Sequence, residues 1–151
     1  MNITVIGCGE TGATICGLLL SKYKALTLTI LDPDENISGR ILDLEHAATC
    51  KESKIHWNNF DTASDSDYLF FTAGSRGKTG EDRSKKAKEN RELIASIFNQ
   101  FKPKQNALII TISNPTETMS YWIYNHLSGE NTVVGTGTGL DTYRLQLIIA
   151  K

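Results

Sequence analysis

Two rhythms of apolar and polar residues alternate along the chain. Short β-branched and aromatic runs, of which Ile3-Thr4-Val5-Ile6 is the first, give way to segments whose apolar side chains recur every three or four positions. The runs predict strands over 3–6, 26–31, 55–57, 68–73, 107–112 and 132–135. The segments between them predict helices over 13–23, 37–50, 89–101, 116–127 and 140–151. Ile41, Leu44, Ala47 and Ala48 fall on one face of the second helix. Leu93, Ile94, Ile97, Phe98 and Phe101 do so on the third, which stops ahead of Pro103. The run over 107–112 is apolar almost throughout, as a strand covered on both faces must be. Six strands separated mostly by helices predict an α/β fold with a doubly wound parallel sheet and right-handed crossovers. No Pro/Gly/Ser linker, repeat or low-complexity tract interrupts the pattern, so residues 1–151 read as a single domain.

The turn after the first strand is Gly7-Cys8-Gly9-Glu10-Thr11-Gly12. A lone G-x-G-x-x-G recurs by chance, but here it follows a strand and opens a helix, and Asp32 closes the next strand about 20 residues on. In that setting Gly7 permits the tight turn, Gly9 lets backbone approach a pyrophosphate, and Gly12 lets helix and strand pack closely. The phosphates then face the N–H groups of a helix N-terminus. A carboxylate at position 32 accepts hydrogen bonds from both ribose hydroxyls and repels a 2′-phosphate, which favours NAD over NADP. These features specify the Rossmann arrangement, strand order 3-2-1-4-5-6, with the cofactor at the switch point beside the first strand. The competing reading is a plain strand-turn-helix corner in which Asp32 forms a turn before Pro33.

Composition narrows the classes. With 151 residues the chain can bury one core but cannot also hold a second domain of similar size. A formal net charge of −1 provides no broad basic field, so nucleic acid is not expected as a main partner. Cys8, Cys16 and Cys50 are odd in number and form no C-x-x-C pair, which points to a reducing compartment and to packing roles for the first two. No apolar run approaches a membrane span and no leader pattern opens the sequence, so a cytoplasmic protein without membrane contact is expected.

Three further segments end strands on the edge where open α/β sheets bind ligands. The loop 74–83 carries Gly74, Gly77 and Gly80 with Arg76, Lys78 and Arg83. It reads either as a loop that closes a charged group over a substrate or as a solvated surface loop. Asn114, in Ser113-Asn114-Pro115, either hydrogen-bonds a ribose or substrate oxygen or caps the next helix. Asp141 and Arg144 lie three apart at the start of the last helix, hence on one face. Arg144 can grip a carboxylate with two parallel bonds and Asp141 can orient an imidazole, or the two form an ion pair with each other.

Taken together, these motifs resemble the N-terminal half of the L-lactate/malate dehydrogenase family. The likeness runs in order through Gly7 to Gly12, Asp32, Asp43-Leu44-Glu45-His46, Thr72-Ala73-Gly74, Gly80-Glu81-Asp82-Arg83, Lys88-Glu89-Asn90, Ser113-Asn114-Pro115-Thr116, Gly135-Thr136-Gly137 and Asp141-Thr142-Tyr143-Arg144. The resemblance implies an oxidoreductase that moves a hydride between NAD and a 2-hydroxy or 2-oxo acid. It implies NAD held by Gly7, Gly9, Glu10, Thr11, Gly12, Asp32, Thr72, Ala73, Gly74 and Asn114. Arg83 would polarise the substrate carbonyl, Arg144 would bind the substrate carboxylate, and Asn114 would contact the nicotinamide ribose and the substrate side. Asp141 would hold a catalytic histidine in its working tautomer.

That histidine would come from a Gly-Glu-His-Gly-like motif beyond Arg144, and Lys151 is the last residue. His126 stands near the far end of the helix after Asn114, roughly 18 Å away at about 1.5 Å per residue. His46 lies within a helix and His56 in a marginal strand, so all three read as structural or surface groups. The expectation is an NAD-binding fragment that lacks its acid/base group and substrate domain and turns over little by itself. The alternatives are a stand-alone NAD-binding or NAD-sensing module and a malate-type enzyme. Gly77 takes the place of the family's discriminating glutamine or arginine. Its missing side chain argues against a second substrate carboxylate and leaves room for a larger 2-oxo acid, although Arg76 is adjacent. Thr79 and Glu117 are milder departures. The resemblance also implies a homodimer or homotetramer that uses the helix over 37–50.

Overall fold

The computed structural model describes residues 1–74 and 83–150, with the backbone alone over 83–86. Strand β1 (Asn2–Ile6) lies between β2 (Thr27–Leu31) and β4 (Tyr68–Phe71), parallel to both. Val5, paired with Ile30 on one side and Phe70 on the other, is fully buried, which explains why this strand has no polar face for water. Strand β3 (Lys54–Trp57) extends the sheet beyond β2, and β5 (Leu108–Thr111) and β6 (Thr132–Gly135) extend it beyond β4. The order is β3-β2-β1-β4-β5-β6, all parallel, as the pattern predicts. The fold is the Rossmann fold.

Helices cover the two faces. On one, α1 (Glu10–Lys22) and α2 (Ser38–Thr49) set Cys16, Leu20, Ile41, Leu44 and Ala48 over Ile3, Val5, Leu28 and Ile30. On the other, α4 (Arg83–Phe98) and α5 (Thr116–His126) set Ile94, Phe98, Met119 and Ile123 over Ile6, Leu69, Phe71 and Ile109. Each of the Leu, Ile, Val, Met and Phe side chains among these, fully buried, contributes about 1.5–3 kcal/mol relative to exposure. Cys8 and Cys16 are packed inside the first of these cores, as expected, and Cys50 is exposed.

A short helix, α3 (Phe60–Ser64), follows β3 and has no counterpart in the apolar pattern. Asn59 caps it by accepting from the Thr62 amide at 3.0 Å. The turn satisfies two threonines that the sheet buries: Thr29 Oγ1 donates to Thr62 Oγ1 at 2.9 Å, and Thr4 Oγ1 and Ser66 Oγ share a 2.7 Å bond.

Other differences are local. Helix α4 begins at Arg83 rather than near Glu89, because a polar lead-in without apolar period extends the helix toward its N-terminus. A 3-10 turn, Glu35–Ile37, precedes α2, and Ala47, expected on its buried face, is exposed. The last helix, α6 (Gly139–Ile149), buries none of its residues. Among the described residues no helix is long and apolar enough to cross a membrane.

Candidate functional site: a cavity at the carboxyl edge of the sheet

Four strands, β1, β2, β4 and β5, deliver their carboxyl ends to one place. The chain turns at Gly7, whose φ of +89° is open to glycine and costly for other residues. Its amide donates to the Leu31 carbonyl at 2.8 Å, and its own carbonyl accepts from Thr72 Oγ1 at 2.7 Å. The turn is thereby tied to the ends of β2 and β4 at once. A Cβ on Gly7 would stand 2.7 Å from the Ala73 nitrogen, and one on Gly12 would stand 2.0 Å from the Gly7 oxygen. Both glycines are therefore required by close approach of backbone to backbone.

Gly9 is the N-cap of α1 and supplies no capping side chain, so the first-turn amides of the helix open onto the space before it. That space is a cavity of about 1250 Å³. It is lined by Gly7, Gly9, Glu10, Thr11 and Gly12 from the turn, Asp32 and Asp34 after β2, Thr72, Ala73 and Gly74 after β4, and Ser113 and Asn114 after β5. Leu93, Ser96, Ile97 and Gln100, one face of α4 and its continuation, form part of the wall. Part of the apolar stripe of α4 thus faces a cavity rather than the core.

Asp32 is held firmly. Its Oδ2 accepts from the Cys8 amide at 2.6 Å and its Oδ1 from the Asp34 amide at 3.0 Å. Its backbone carbonyl takes bonds from Trp57 Nε1 at 3.1 Å and Asn58 Nδ2 at 2.9 Å. A carboxylate has about four lone-pair sites, so the two amides leave acceptor capacity for a pair of vicinal hydroxyls. Arg40, on the first turn of α2, donates from Nη1 to the Cys8 carbonyl and also lines the cavity. Beneath the turn, the hydrogen bond between Cys8 and Cys16, and burial after it, push the Cys16 thiol up, so it stays protonated as a packing group.

At the other end Ser113 Oγ donates to the Ala73 carbonyl at 2.6 Å, locking β5 to β4 beside Gly74. Asn114 Oδ1 accepts from Thr116 Oγ1 at 3.2 Å, across a cis bond to Pro115, and Pro115 takes the N-cap position of α5. Asn114 lines the cavity, and its amide nitrogen has no part in that bond.

Other expected site residues stand apart from this group. Asp141 and Arg144 are on α6, both exposed, and pair with each other at 3.0 Å. Neither lines the cavity. Gly77, Arg76 and Thr79 lie outside the described residues, as does the side chain of Arg83. No histidine lines the cavity among the described residues: His46 is exposed on α2, His56 is in β3, and His126 ends α5 with its ring 6.3 Å from that of Phe98. Arg40, Asp34 and the α4 wall were not singled out by the sequence, and Ser113 appeared there only as a neighbour of Asn114 in its motif. A basic residue shortly after the strand-ending Asp32 was the available signal for Arg40.

A glycine turn at the middle of a parallel sheet, an uncapped helix start and a carboxylate after the second strand define a Rossmann dinucleotide-binding domain. The glycines fit the group by leaving no side chain between backbone and pyrophosphate, and Asp32 fits it by its remaining acceptor capacity. Residues 1–135 match the family described as lactate/malate dehydrogenase, NAD binding domain, and the chain belongs to that family.

Similar proteins agree. The L-lactate dehydrogenase of Pseudothermotoga lettingae is 33% identical over 155 aligned residues, covering 100% of this chain and 50% of that protein. A lactate dehydrogenase structure from a Medee basin deep-sea metagenome superposes with a TM-score of 0.75 at 23% identity, covering 98% of this chain and 49% of that one. The Cryptosporidium parvum lactate dehydrogenase, solved with lactic acid and nicotinamide adenine dinucleotide, superposes with a TM-score of 0.71 at 27% identity, over 83% and 41% of the two chains. The chain spans about half the length of the relatives it matches.

Proposed function

We propose that this chain is the cofactor half of an L-lactate dehydrogenase-like oxidoreductase, in which a hydride passes between NAD and a 2-hydroxy/2-oxo acid. The observation that carries the reading is the convergence of the glycine turn, Asp32, Thr72 to Gly74 and Asn114 on one cavity at the carboxyl edge, in a chain of this family. The α1 amides and Gly9 receive the pyrophosphate, Asp32 receives the adenosine ribose, and Asn114 directs its amide to the nicotinamide side. Bound NAD would supply the hydride acceptor for a 2-hydroxy acid, and bound NADH the donor for a 2-oxo acid. Arg83 polarises the substrate carbonyl, and its positive charge stabilises the oxygen as negative charge develops there. Arg144 binds the substrate carboxylate and Asp141 orients a histidine from outside these residues. Gly77 brings no side chain, and so no second cation of its own, to the position that discriminates substrates in the family, which favours lactate-type over malate-type acids. The parent works as a homodimer or homotetramer.

On this reading the 151 residues bind NAD but do not turn over, because no histidine among the described residues lines the cavity. The Asp141–Arg144 pair favours a second reading, a nucleotide-binding module without chemistry, since it leaves both residues engaged with each other.

A calorimetric titration with NADH tests the first step, with saturable binding to the chain and a marked loss in Asp32→Ala. No binding would remove the nucleotide reading. Assay of the full reading frame against pyruvate, branched 2-oxo acids and oxaloacetate tests the second. Turnover of none favours the module, and a strong preference for oxaloacetate would sink the argument from Gly77.

A further inference from the structure

Arg40 has no part in the reading above, yet among the described residues it is the single basic side chain lining a cavity that also presents Glu10, Asp32 and Asp34. A helix-borne arginine in an exposed position ordinarily extends into solvent. This one turns inward, and Nη1 donates to the Cys8 carbonyl. The amide of the same residue, Cys8, donates to Asp32 Oδ2. Guanidinium and carboxylate therefore meet on the two polar atoms of one residue, at the end of the cavity where the adenosine ribose belongs.

An aspartate after the second strand selects against a 2′-phosphate in two ways: it competes for the ribose hydroxyls, and its charge repels the phosphate. The second effect weakens here. Oδ1 and Oδ2 each accept from a backbone amide, so part of the carboxylate's negative charge is already opposed by N–H dipoles. Arg40 sets one positive charge on the same turn, against Glu10 and Asp34 as well as Asp32, and so offsets part of the remaining repulsion. The guanidinium carries five donors in a planar fork, and the bond to Cys8 engages Nη1. The rest of the fork matches phosphate oxygens two at a time. An arginine beside the ribose is the usual means by which a Rossmann site accommodates a 2′-phosphate.

We propose that Arg40 is a specificity-determining residue that lets this site accept a 2′-phosphorylated adenosine, so that the chain binds NADP(H) as well as NAD(H). The inference rests on the nucleotide reading of the cavity and deepens it. It narrows the preference that Asp32 alone imposes without reversing it.

Titration of the chain with NADH and NADPH, for the wild type, Arg40→Ala and Arg40→Gln, tests the proposal, with circular dichroism melts to verify folding. The expected result is wild-type NADPH affinity within about ten-fold of NADH, and a further loss of about ten-fold or more for NADPH alone in both variants. Arg40→Gln keeps a donor for the Cys8 carbonyl, so it carries the comparison should Arg40→Ala fail to fold. Tight NADH binding with no measurable NADPH binding in the wild type overturns the proposal and leaves the nucleotide reading intact. Equal weakening of both nucleotides also overturns it, by showing that Arg40 serves only the glycine turn. Binding of neither nucleotide removes the proposal together with the nucleotide reading.

Discussion

Gly12 shows how little room the glycine turn leaves. A methyl group there would stand 2.0 Å from the Gly7 oxygen and 2.8 Å from Thr72 Oγ1, and neither backbone nor a doubly bonded hydroxyl yields cheaply. Gly12→Ala is expected to cost about 1–3 kcal/mol of stability, as overpacking does, and to abolish NADH binding by pushing α1 off the turn. Chemical denaturation and titration of the same variant measure both; wild-type NADH affinity would contradict the packing argument.

Far from the cavity, Asp67 accepts from Lys104 Nζ at 2.6 Å and from the Asn2 amide at 2.9 Å, and these bonds, Lys104 first, hold its carboxyl below the usual carboxylate range. A folded value lowered in this way adds stability in full above about pH 4, and that stability is lost as pH falls through the folded value. Side-chain exposures of 41% and 36% keep the pair's contribution below about 1 kcal/mol. Lys104→Met is thus expected to melt slightly below the wild type near pH 7 and level with it in strong acid. An undiminished gap in acid would assign the effect to packing of the Lys104 stem.

Among the elements, those with a dense apolar code were legible from sequence and those held by polar contacts were not. The six strands follow from β-branched runs separated by helices, and their order from the Rossmann arrangement that the glycine turn and Asp32 mark. Helix α3 escaped because five residues cannot display a helical period, and what stabilises it is the Asn59 cap and hydroxyl contacts with Thr29 and Ser66. Phe101, expected within α4, is buried beyond its end at Phe98, and one face of the helix serves two purposes: Ile94 and Phe98 enter the core, Leu93 walls the cavity, and Ile97 does both. Phe98 stacks on Phe71 of β4 with centroids 6.1 Å apart, and this contact fixes α4 on the sheet. Phe71→Ala is expected to cost about 3–5 kcal/mol, read as a lower denaturation midpoint with unchanged slope. A loss under about 1 kcal/mol would show that α4 is anchored elsewhere. The glycine turn and Asp32 were legible because their spacing carries the chemistry. Arg40 was not, because polar residues on an exposed helix face obey no period.

For the molecule as a whole, stability is unevenly placed. Both cores lie within the region between Ile3 and Val133, whereas Leu145, Leu147, Ile148 and Ile149 of α6 are exposed. In the 151-residue chain, Ile148→Ala is expected to change unfolding free energy by under about 0.5 kcal/mol, while Ile123→Ala costs about 2–5 kcal/mol. Hydrogen exchange in α6 should accordingly outpace that in β1 by local opening. Protection of α6 equal to that of β1 would contradict this division.

The sheet order also sets a timetable for synthesis. Strand β1 leaves the ribosome well before β4, its partner on one side, with Ile3 paired to Tyr68 and Ile6 to Phe71. At about 5–20 residues per second, several seconds pass between the two, during which one edge of a strand buried in the finished fold has nothing to pair with. The half built from β1, β2 and β3 can assemble meanwhile, leaving that edge as an open template for foreign strands. The central position that makes β1 so well protected in the finished protein makes it the strand most in need of a chaperone while the chain is being made.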